Sequence, residues 1–384
     1  MERISILDCT LRDGGYCNQW RFGQKNIRKI IKSLLHVNIE IIECGILSDR
    51  HQYEKGSTLF GNIAQASGCI DENNGSMVVC LANYGRYDFS SIPWCDDRTV
   101  TGIRVAFHKK DIQGAMQACR QVKRKGYRLF MQPMVSLNYS DQEFLELVNM
   151  ANELHPFAFY IVDSFGAMTE KDLKRLFHLA DHNLEPDIHI GFHPHNNLQL
   201  AYANAKALVS VQTSRKLIID CSIMGMGRGA GNLNTELFAD YLNCSYGKQY
   251  KIDPLLVVID QILDKFYSEN PWGFSLANYL SARHNLHPNY AKHLVEKQTL
   301  TAEDIHNIFL MIAEDKKVAF DSEYIESLYL SYMGKGEEKA DNLDKLKRIL
   351  LGREVIIIAP GASSRLEKDK IIKYLQRAQT VSVS

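Results

Sequence analysis

The chain has 384 residues and a formal net charge of zero, with 45 Lys and Arg balanced by 45 Asp and Glu. This length predicts one large domain and a smaller one, and the balanced charge argues against nucleic acid as a partner. The nine cysteines include no C-x-x-C pair, and no apolar run approaches membrane-spanning length, so we expect a cytoplasmic protein without a disulfide framework, a cysteine zinc site or a membrane partner.

Short apolar runs rich in β-branched residues recur along the chain, spaced roughly thirty residues apart, as in barrels of alternating strands and helices. They occupy residues 4–8, 39–44, 76–82, 102–107, 128–135, 158–163, 188–193 and 217–223. Helical patterns lie between most of them, such as the apolar spacing of Ile27, Ile30 and Ile31 and the capping-box residues Ser140 and Glu143. Eight strand–helix units predict an α/β fold, a (β/α)8 TIM barrel, with a doubly wound open sheet as the alternative.

The alternation of predicted strands and helices ends near residue 250. We predict a TIM-barrel catalytic domain over 1–250, a helical C-terminal region over 251–345, and a short extension over 346–384. The extension reads as a strand, a Pro-Gly turn and an amphipathic helix, which is typical of the start of another α/β domain. We therefore expect either a chain that has been cut short or an extension that packs on the body. The G-x-x-x-x-G-K spacing of a phosphate loop does not occur there, so no nucleotide site is predicted.

The chemistry of TIM-barrel enzymes lies at the carboxyl ends of the strands, and the first predicted strand ends in LDCTLRDGGY. Asp8, Thr10 and Arg12 alternate there with a period of two, and Asp13 follows at the turn. The glycine pair at 14–15 would allow a sharp turn. The alternative is a surface Arg–Asp pair before a glycine turn.

The second predicted strand carries Glu43 inside an otherwise apolar run, IIECGI. A buried carboxylate must be paired or bound to something. Arg12, one strand away, is the obvious partner, and a purely structural ion pair is the alternative.

The seventh predicted strand ends in GFHPHNN. Residues two apart on a strand face the same side, so His193 and His195 point together, as ligands of zinc, manganese or a similar ion would. Two polar residues of a buried strand are the alternative. The eighth strand leads into the glycine-rich MGMGRGAGNLNTE, where Asn232 could supply a further oxygen, unless this is only a loop that closes the barrel.

Together these motifs resemble the DRE-TIM metallolyase superfamily, which includes 4-hydroxy-2-oxovalerate aldolases, hydroxymethylglutaryl-CoA lyases, and isopropylmalate and homocitrate synthases. DSFGAM after the sixth strand and the helical region resemble the aldolase branch most. The resemblance implies a divalent metal, Mn²⁺ or Mg²⁺ with Zn²⁺ as the alternative. The implied ligands are Asp13, His193 and His195, with Asn232 as a fourth. It also implies that Arg12 stabilises an enolate and that Glu43 holds Arg12.

One position departs from the aldolase pattern. Tyr16 stands where those aldolases carry a histidine as catalytic base, and tyrosine is a poor base because a phenol ionises only near pH 10. Tyr16 could still donate a hydrogen bond or act as an acid. His108, at the end of the fourth predicted strand, and His287 and Tyr290 of the helical region are the candidates for the missing base. The glycine-rich loop has no cysteine where hydroxymethylglutaryl-CoA lyases carry theirs, which argues against cleavage of a CoA ester.

The predicted function is that of a metal-dependent aldolase, a carbon–carbon lyase. It would cleave or form a 4-hydroxy-2-oxo acid from pyruvate, or another 2-oxo acid, and an aldehyde through a metal-bound enolate. The alternatives are a Claisen-type synthase joining an acyl-CoA to a 2-oxo acid, a metal-dependent hydrolase, and a catalytically altered barrel acting as a binding module. The resemblance also implies that the helical region contacts an aldehyde dehydrogenase partner, with a homodimer as the alternative.

Overall fold

The computed structural model describes residues 3–71, 75–96, 98–335, 347–348, 350–357, 367–376 and 380–383. The chain divides into two compact units, Met1–Ser322 and Glu323–Ser384. The first unit contains the strands and helices of a barrel together with helices that follow it. The domain boundaries predicted from the sequence, 1–250, 251–345 and 346–384, stay predictions.

The first unit is built on a closed parallel sheet. Its strands are β1 (Ile4–Asp8), β2 (Ile41–Leu47), β3 (Leu59–Phe60), β4 (Met77–Asn83), β5 (Val100–Phe107), β6 (Arg128–Pro133), β7 (Ala158–Asp163), β8 (His189–Pro194) and β9 (Leu217–Cys221). The order is β1-β9-β8-β7-β6-β5-β4-β2-β3, and β1 also pairs with β2. That second pairing closes the sheet, so the predicted TIM barrel is confirmed and the open doubly wound sheet was the wrong alternative. β3 is a short addition that the sequence did not predict.

Helices surround the sheet and continue after it. They are α1 (Thr10–Asp13), α2 (Gly15–Asn18), α3 (Gln24–Val37), α4 (Ile63–Ser67), α5 (Ile112–Arg124), α6 (Asp141–Leu154), α7 (Glu170–Asn183), α8 (Ala201–Val209), α9 (Thr235–Tyr246), α10 (Asp253–Val258), α11 (Asp264–Glu269), α12 (Leu276–Arg283), α13 (Asn289–Glu296), α14 (Ala302–Leu310) and α15 (Ser322–Lys335). A π-helical turn, Ile259–Leu263, joins α10 to α11. The capping box of Ser140 and Glu143 begins α6 as predicted.

The barrel interior changes character from its floor to its mouth. An apolar cluster of Leu7, Ile41, Val79, Phe130 and Ile218, among others, fills the lower part. Side chains two residues further along a strand point to the same side, so Ile41 is followed by Glu43 and Ile218 by Asp220. The upper interior is therefore polar and charged, and it lies at the end where barrel enzymes place their chemistry.

The segment after β1 differs from its predicted form. The strand ends at Asp8, and α1 is a helical turn, so the predicted period-two alternation through Arg12 was wrong. Asp8 Oδ1 accepts the Thr10 N–H (2.9 Å), which turns the chain out of the strand. The glycines also serve a different purpose: Gly14 has an ordinary helical φ of −59°, and a Cβ at Gly15 would lie 2.1 Å from the Trp20 ring. They permit close packing rather than an unusual turn.

The second unit contains most of α15, a strand β10 (Glu354–Ile357), a helix α16 (Lys368–Leu375) and a strand β11 (Thr380–Val383) parallel to β10. The predicted strand and helix of the extension are both present, whereas β11 was not predicted. The predicted Pro-Gly turn lies outside the described residues. Within the part of the chain that the structure covers, no helix is long and apolar enough to span a membrane.

Candidate active site

Asp13, His193 and His195 meet at the mouth of the barrel. Their ligand atoms all lie within 4.8 Å of one another, and all three side chains are buried. Asp13 ends α1, while the two histidines stand on and just after β8. This is the one cluster of at least three metal-ligating side chains found among the described residues.

Both histidines are held so that Nε2 faces the cluster. His193 Nδ1 lies 2.9 Å from Asp220 Oδ2, and His195 Nδ1 lies 3.3 Å from the Gly231 carbonyl. Each acceptor favours the tautomer with its proton on Nδ1, which leaves the Nε2 lone pair free for a metal ion. Burial lowers the pKa of His195 to about 3, so its ring is neutral at physiological pH.

Asp13 stays ionised. Burial alone would raise its pKa, but Arg12, the two histidines and the hydrogen bond from Asn232 together outweigh burial and hold the pKa below its ordinary value. A carboxylate and two imidazole nitrogens form a donor set that suits a divalent cation such as Mn²⁺ or Zn²⁺.

Asn232 completes the cluster on the side of the glycine-rich loop. Its Nδ2 donates to Asp13 Oδ2 (2.8 Å) and to the Met226 carbonyl (3.1 Å). Its Oδ1 is buried and has no hydrogen-bond partner in the described parts of the chain. An unpaired buried acceptor is costly, and coordination of a cation would satisfy it. Gly227 makes room for this arrangement, because a Cβ there would lie 2.6 Å from Asp13 Oδ2 and 2.2 Å from Asn232 Nδ2.

Arg12 connects this cluster to Glu43. Its Nη1 pairs with Asp13, and its Nε donates to Glu43 Oε2 (2.7 Å). The sequence-based pairing of Arg12 with Glu43 agrees with this geometry. Nη2 of Arg12 has no acceptor among the described residues, so this part of the guanidinium remains for a ligand.

Two buried charges beneath the site, Arg104 and Asp220, were not predicted from the sequence. Arg104 on β5 is fully buried and lies between Glu43 (2.9 Å from Nη1) and Asp220, with which its Nη2 pairs. The Tyr160 hydroxyl donates to Asp220 Oδ1 (3.0 Å), and the Arg104 guanidinium stands 4.7 Å from the Tyr160 ring centre. Arg104 thus links the carboxylate that holds Arg12 to the carboxylate that orients His193.

The carboxylates at the mouth outnumber the guanidinium groups. Three carboxylates, those of Asp13, Glu43 and Asp220, face two guanidinium groups, those of Arg12 and Arg104. The cluster therefore has a net charge of −1 when the histidines are neutral. A divalent cation would reverse that sign and leave the site attractive to an anion.

A cavity of about 570 Å³ lies beside the cluster and is lined by Tyr16, Gly227, Arg228, Trp272 and His287, among others. Tyr16 is 40% exposed, and the Arg228 guanidinium stands 5.5 Å from its ring centre. Of the four candidates for proton transfer, Tyr16 and His287 are therefore brought to one cavity.

His287 is half-buried, and burial lowers its pKa to about 3, with Arg228 contributing in the same direction. His287 Nδ1 accepts the Asn289 N–H (3.2 Å), which places the proton of the neutral ring on Nε2. The ring is therefore a hydrogen-bond donor to the cavity.

The other two candidates do not line this cavity. His108 lines a separate cavity with Lys109, Met134 and Asn285, and burial lowers its pKa. Tyr290 is fully buried, and its hydroxyl donates to the carbonyls of Lys316 (2.8 Å) and Ala319 (2.9 Å). These bonds give Tyr290 a structural role.

Comparisons with known proteins found a family model and several relatives. Residues 103–254 match the family model described as HMGL-like. A 4-hydroxy-2-oxovalerate aldolase from Geobacillus genomosp. 3 is 25% identical over 272 residues, 66% of this chain and 78% of the relative. The 4-hydroxy-2-oxovalerate aldolase 2 of Rhodococcus jostii (strain RHA1) is 26% identical over 242 residues, 62% and 68% of the two chains.

Two crystal structures share the fold. The N-terminal domain of a candidate aldolase from Bacteroides vulgatus aligns with a TM-score of 0.66 and 25% identity, covering 76% of this chain and 96% of that one. The Bacillus subtilis HMG-CoA lyase aligns with a TM-score of 0.55 and 15% identity, covering 71% and 96%. The latter likeness concerns the fold alone.

Proposed function

We propose that the chain, which is similar to the HMGL-like family model over residues 103–254 and to 4-hydroxy-2-oxovalerate aldolases, is a divalent-metal-dependent aldolase acting on a 4-hydroxy-2-oxo acid. Cleavage would break the bond between C3 and C4. The 4-hydroxyl would give up its proton as the aldehyde forms, and C3 of the resulting enolate would take up a proton to give pyruvate or another 2-oxo acid. The observation that carries the proposal is the cluster of Asp13, His193 and His195 beside the unpaired Oδ1 of Asn232.

These four residues fit a divalent cation and would hold it. A cation bound there would act as a Lewis acid that polarises a keto oxygen and offsets negative charge. Mn²⁺ or Mg²⁺ is the proposed ion, with Zn²⁺ as the alternative that two imidazoles also suit.

Arg12 would stabilise the negative charge that develops on the keto oxygen during cleavage. Its Nε and Nη1 are fixed by Glu43 and Asp13, which leaves Nη2 as the donor for the substrate. A donor fixed in advance stabilises developing charge without having to reorganise. Glu43 is a positioning residue, since it orients Arg12 and has no exposure of its own.

Proton transfer at the 4-hydroxyl involves the cavity beside the cluster. A pKa of about 3 makes His287 a weak base, but its Nε2–H can donate a hydrogen bond to the aldehyde oxygen. Tyr16 lines the same cavity and is the second group proposed to contact that oxygen. No step is assigned to Tyr290, because its hydroxyl is bound to backbone carbonyls. His108, which lines the second cavity, stays a candidate for the base.

The test is a product screen with defined metals. Chelated protein should neither cleave 4-hydroxy-2-oxo acids nor condense pyruvate with aldehydes, and added Mn²⁺ or Mg²⁺ should restore both reactions. Release of free thiol from acetyl-CoA with 2-oxo acids, in the absence of any aldol reaction, would instead favour a Claisen-type synthase. Failure of every metal to support either reaction would refute the proposal.

Contact of the helical region with a second copy or with an aldehyde dehydrogenase is also proposed. Large apolar side chains are exposed on or beside its helices, including Leu256, Phe274, Leu276 and Val295. Exposed apolar side chains of this kind are used in protein contacts. Sedimentation of the pure protein at the mass of one chain would exclude a stable homodimer.

A further inference from the structure

The cavity beside the metal-ligating cluster is larger than a short aldehyde needs. Its volume of about 570 Å³ falls within the roughly 300–1,000 Å³ of pockets for drug-sized ligands. Gly227 forms part of its wall and directly adjoins Asp13 and Asn232. The cavity therefore adjoins the cluster, and it is the space to which we assign the distal end of a molecule bound there.

The wall of the cavity is basic. Arg86, Arg228 and Lys292 line it, and Glu296 is the carboxylate among its described lining residues. Glu296 lies 3.8 Å from Lys292 on the exposed side of α13, so it offsets that lysine and not the arginines. The two arginines have no carboxylate partner in the described ranges, and their positive charge is left for a ligand.

Arg228 is the most constrained of these cations. Its Nη2 donates to the Ser164 carbonyl (3.1 Å), while its Nε is buried and has no partner among the described residues. Its guanidinium also faces the Tyr16 ring. A buried donor on a fixed guanidinium is a strong site for a carboxylate or a phosphate, which accept two parallel hydrogen bonds.

We propose that this cavity recognises a second anionic group, a carboxylate or a phosphate, on the aldehyde half of the substrate, with Arg228 as the specificity-determining residue. This inference rests on the proposed aldolase function. An uncharged short aldehyde would leave the cavity mostly unfilled and the Arg228 Nε unpaired, whereas an anionic aldehyde would satisfy both.

The experiment compares three aldehydes in condensation with pyruvate under saturating metal. Succinic semialdehyde carries a carboxylate, glyceraldehyde 3-phosphate carries a phosphate, and butanal is uncharged. We expect kcat/KM for at least one anionic aldehyde to exceed that for butanal by about tenfold or more, which is the effect of one hydrogen bond to a charged group. The two anionic aldehydes distinguish a carboxylate from a phosphate.

The variant Arg228→Gln should remove this preference by lowering kcat/KM for the anionic aldehyde about ten- to hundred-fold, with a much smaller change for butanal. Arg120→Gln is the matched control, because it removes an exposed arginine from α5 and should leave the preference intact. Calorimetry with succinate and inorganic phosphate provides a readout without turnover, and binding should weaken in Arg228→Gln.

The outcomes separate the two proposals. Metal-dependent exchange of the pyruvate methyl protons, measured without any aldehyde, tests the proposed function alone. If exchange occurs but butanal reacts as well as the anionic aldehydes, the inference about the cavity is wrong and the proposed function stands. Equal losses for charged and uncharged aldehydes in Arg228→Gln would also contradict it.

Discussion

Replacement of Arg104 by methionine tests the buried charges beneath the site. The guanidinium is fully buried between Glu43 and Asp220, and methionine fills a similar volume without a charge. Removing one partner of a buried ion pair costs about 3–5 kcal/mol, because it leaves an uncompensated charge in the interior. Glu43 keeps Arg12 as a partner, so most of the penalty falls on Asp220.

The loss of stability caused by Arg104→Met should become smaller as the pH falls. Burial alone would raise the pKa of Asp220, but Arg104 and His193 outweigh it and lower the pKa in the wild-type protein. This carboxylate therefore stabilises the wild type above its unfolded pKa, and the contribution is lost as the pH falls through the folded pKa. In Arg104→Met burial dominates and raises the pKa of Asp220. The loss in the free energy of unfolding is therefore present above that raised pKa and becomes smaller when acid protonates the carboxylate. The difference between the two proteins should shrink from pH 7.5 to pH 5.

Urea unfolding at the two pH values measures this difference, and calorimetric titration measures metal binding. Asp220 orients His193, so we expect metal affinity to fall about ten- to hundred-fold, as for other changes behind a ligand histidine. Arg215→Met is the matched control: Arg215 is a buried arginine that pairs with Asp181 (2.8 Å) away from the cluster. It should lose stability and keep its metal affinity. A loss below about 1 kcal/mol in Arg104→Met, or one that acid does not reduce, would refute this reasoning.

Three further variants test other parts of the site. Gly227→Ala places a Cβ within 2.2 Å of Asn232 Nδ2 and 2.6 Å of Asp13 Oδ2, so metal affinity measured by calorimetry should drop about ten- to hundred-fold. Gly334→Ala is the control, because a Cβ there would have nothing within 4 Å and should leave the metal affinity unchanged. Equal metal affinities of the two variants would show that the glycine-rich loop shifts to accommodate the Cβ. Arg12→Lys should lower kcat for cleavage about 10²- to 10³-fold at saturating metal, because a single ammonium cannot pair with Glu43 and Asp13 and also donate to the substrate. A change in kcat under threefold would show that Arg12 takes no part in the reaction. His287 has a folded pKa of about 3, below its unfolded value, so its contribution to the free energy of unfolding falls as the pH drops below about 6.5. His287→Phe should therefore reduce the loss of stability between pH 7 and pH 5 by up to about 2 kcal/mol. The same loss of unfolding free energy in wild type and variant, measured by urea unfolding, would contradict this.

The barrel was predictable from the sequence because its signal is repeated. Eight apolar runs, separated by helical patterns with capping residues such as Ser140 and Glu143, predict the same architecture many times over. The turn after β1 was not predictable by period, because Arg12 follows a helical turn that depends on a hydrogen bond to Asp8. β3 has two residues, too few to leave a pattern.

Part of the site could be predicted from the sequence. Glu43 was identified as a buried charge because it lies inside an apolar run, and the same reasoning applies to Arg104 in GIRVAF and to Asp220 in LIIDCSI. Those two residues were not predicted, although they lie inside apolar runs as Glu43 does. Arg228 gave no separate signal, since its role depends on a cavity that residues distant in the chain enclose.

Exchange of the pyruvate methyl protons with deuterium oxide tests the central claim most directly, because it requires negative charge to develop on the substrate without any aldehyde present. Proton NMR of pyruvate with the Mg²⁺-loaded protein should show loss of the methyl signal, abolished by chelation, restored by metal and slowed in Arg12→Lys. Metal-loaded protein that leaves the methyl signal intact, or exchange that persists after chelation, would contradict the account.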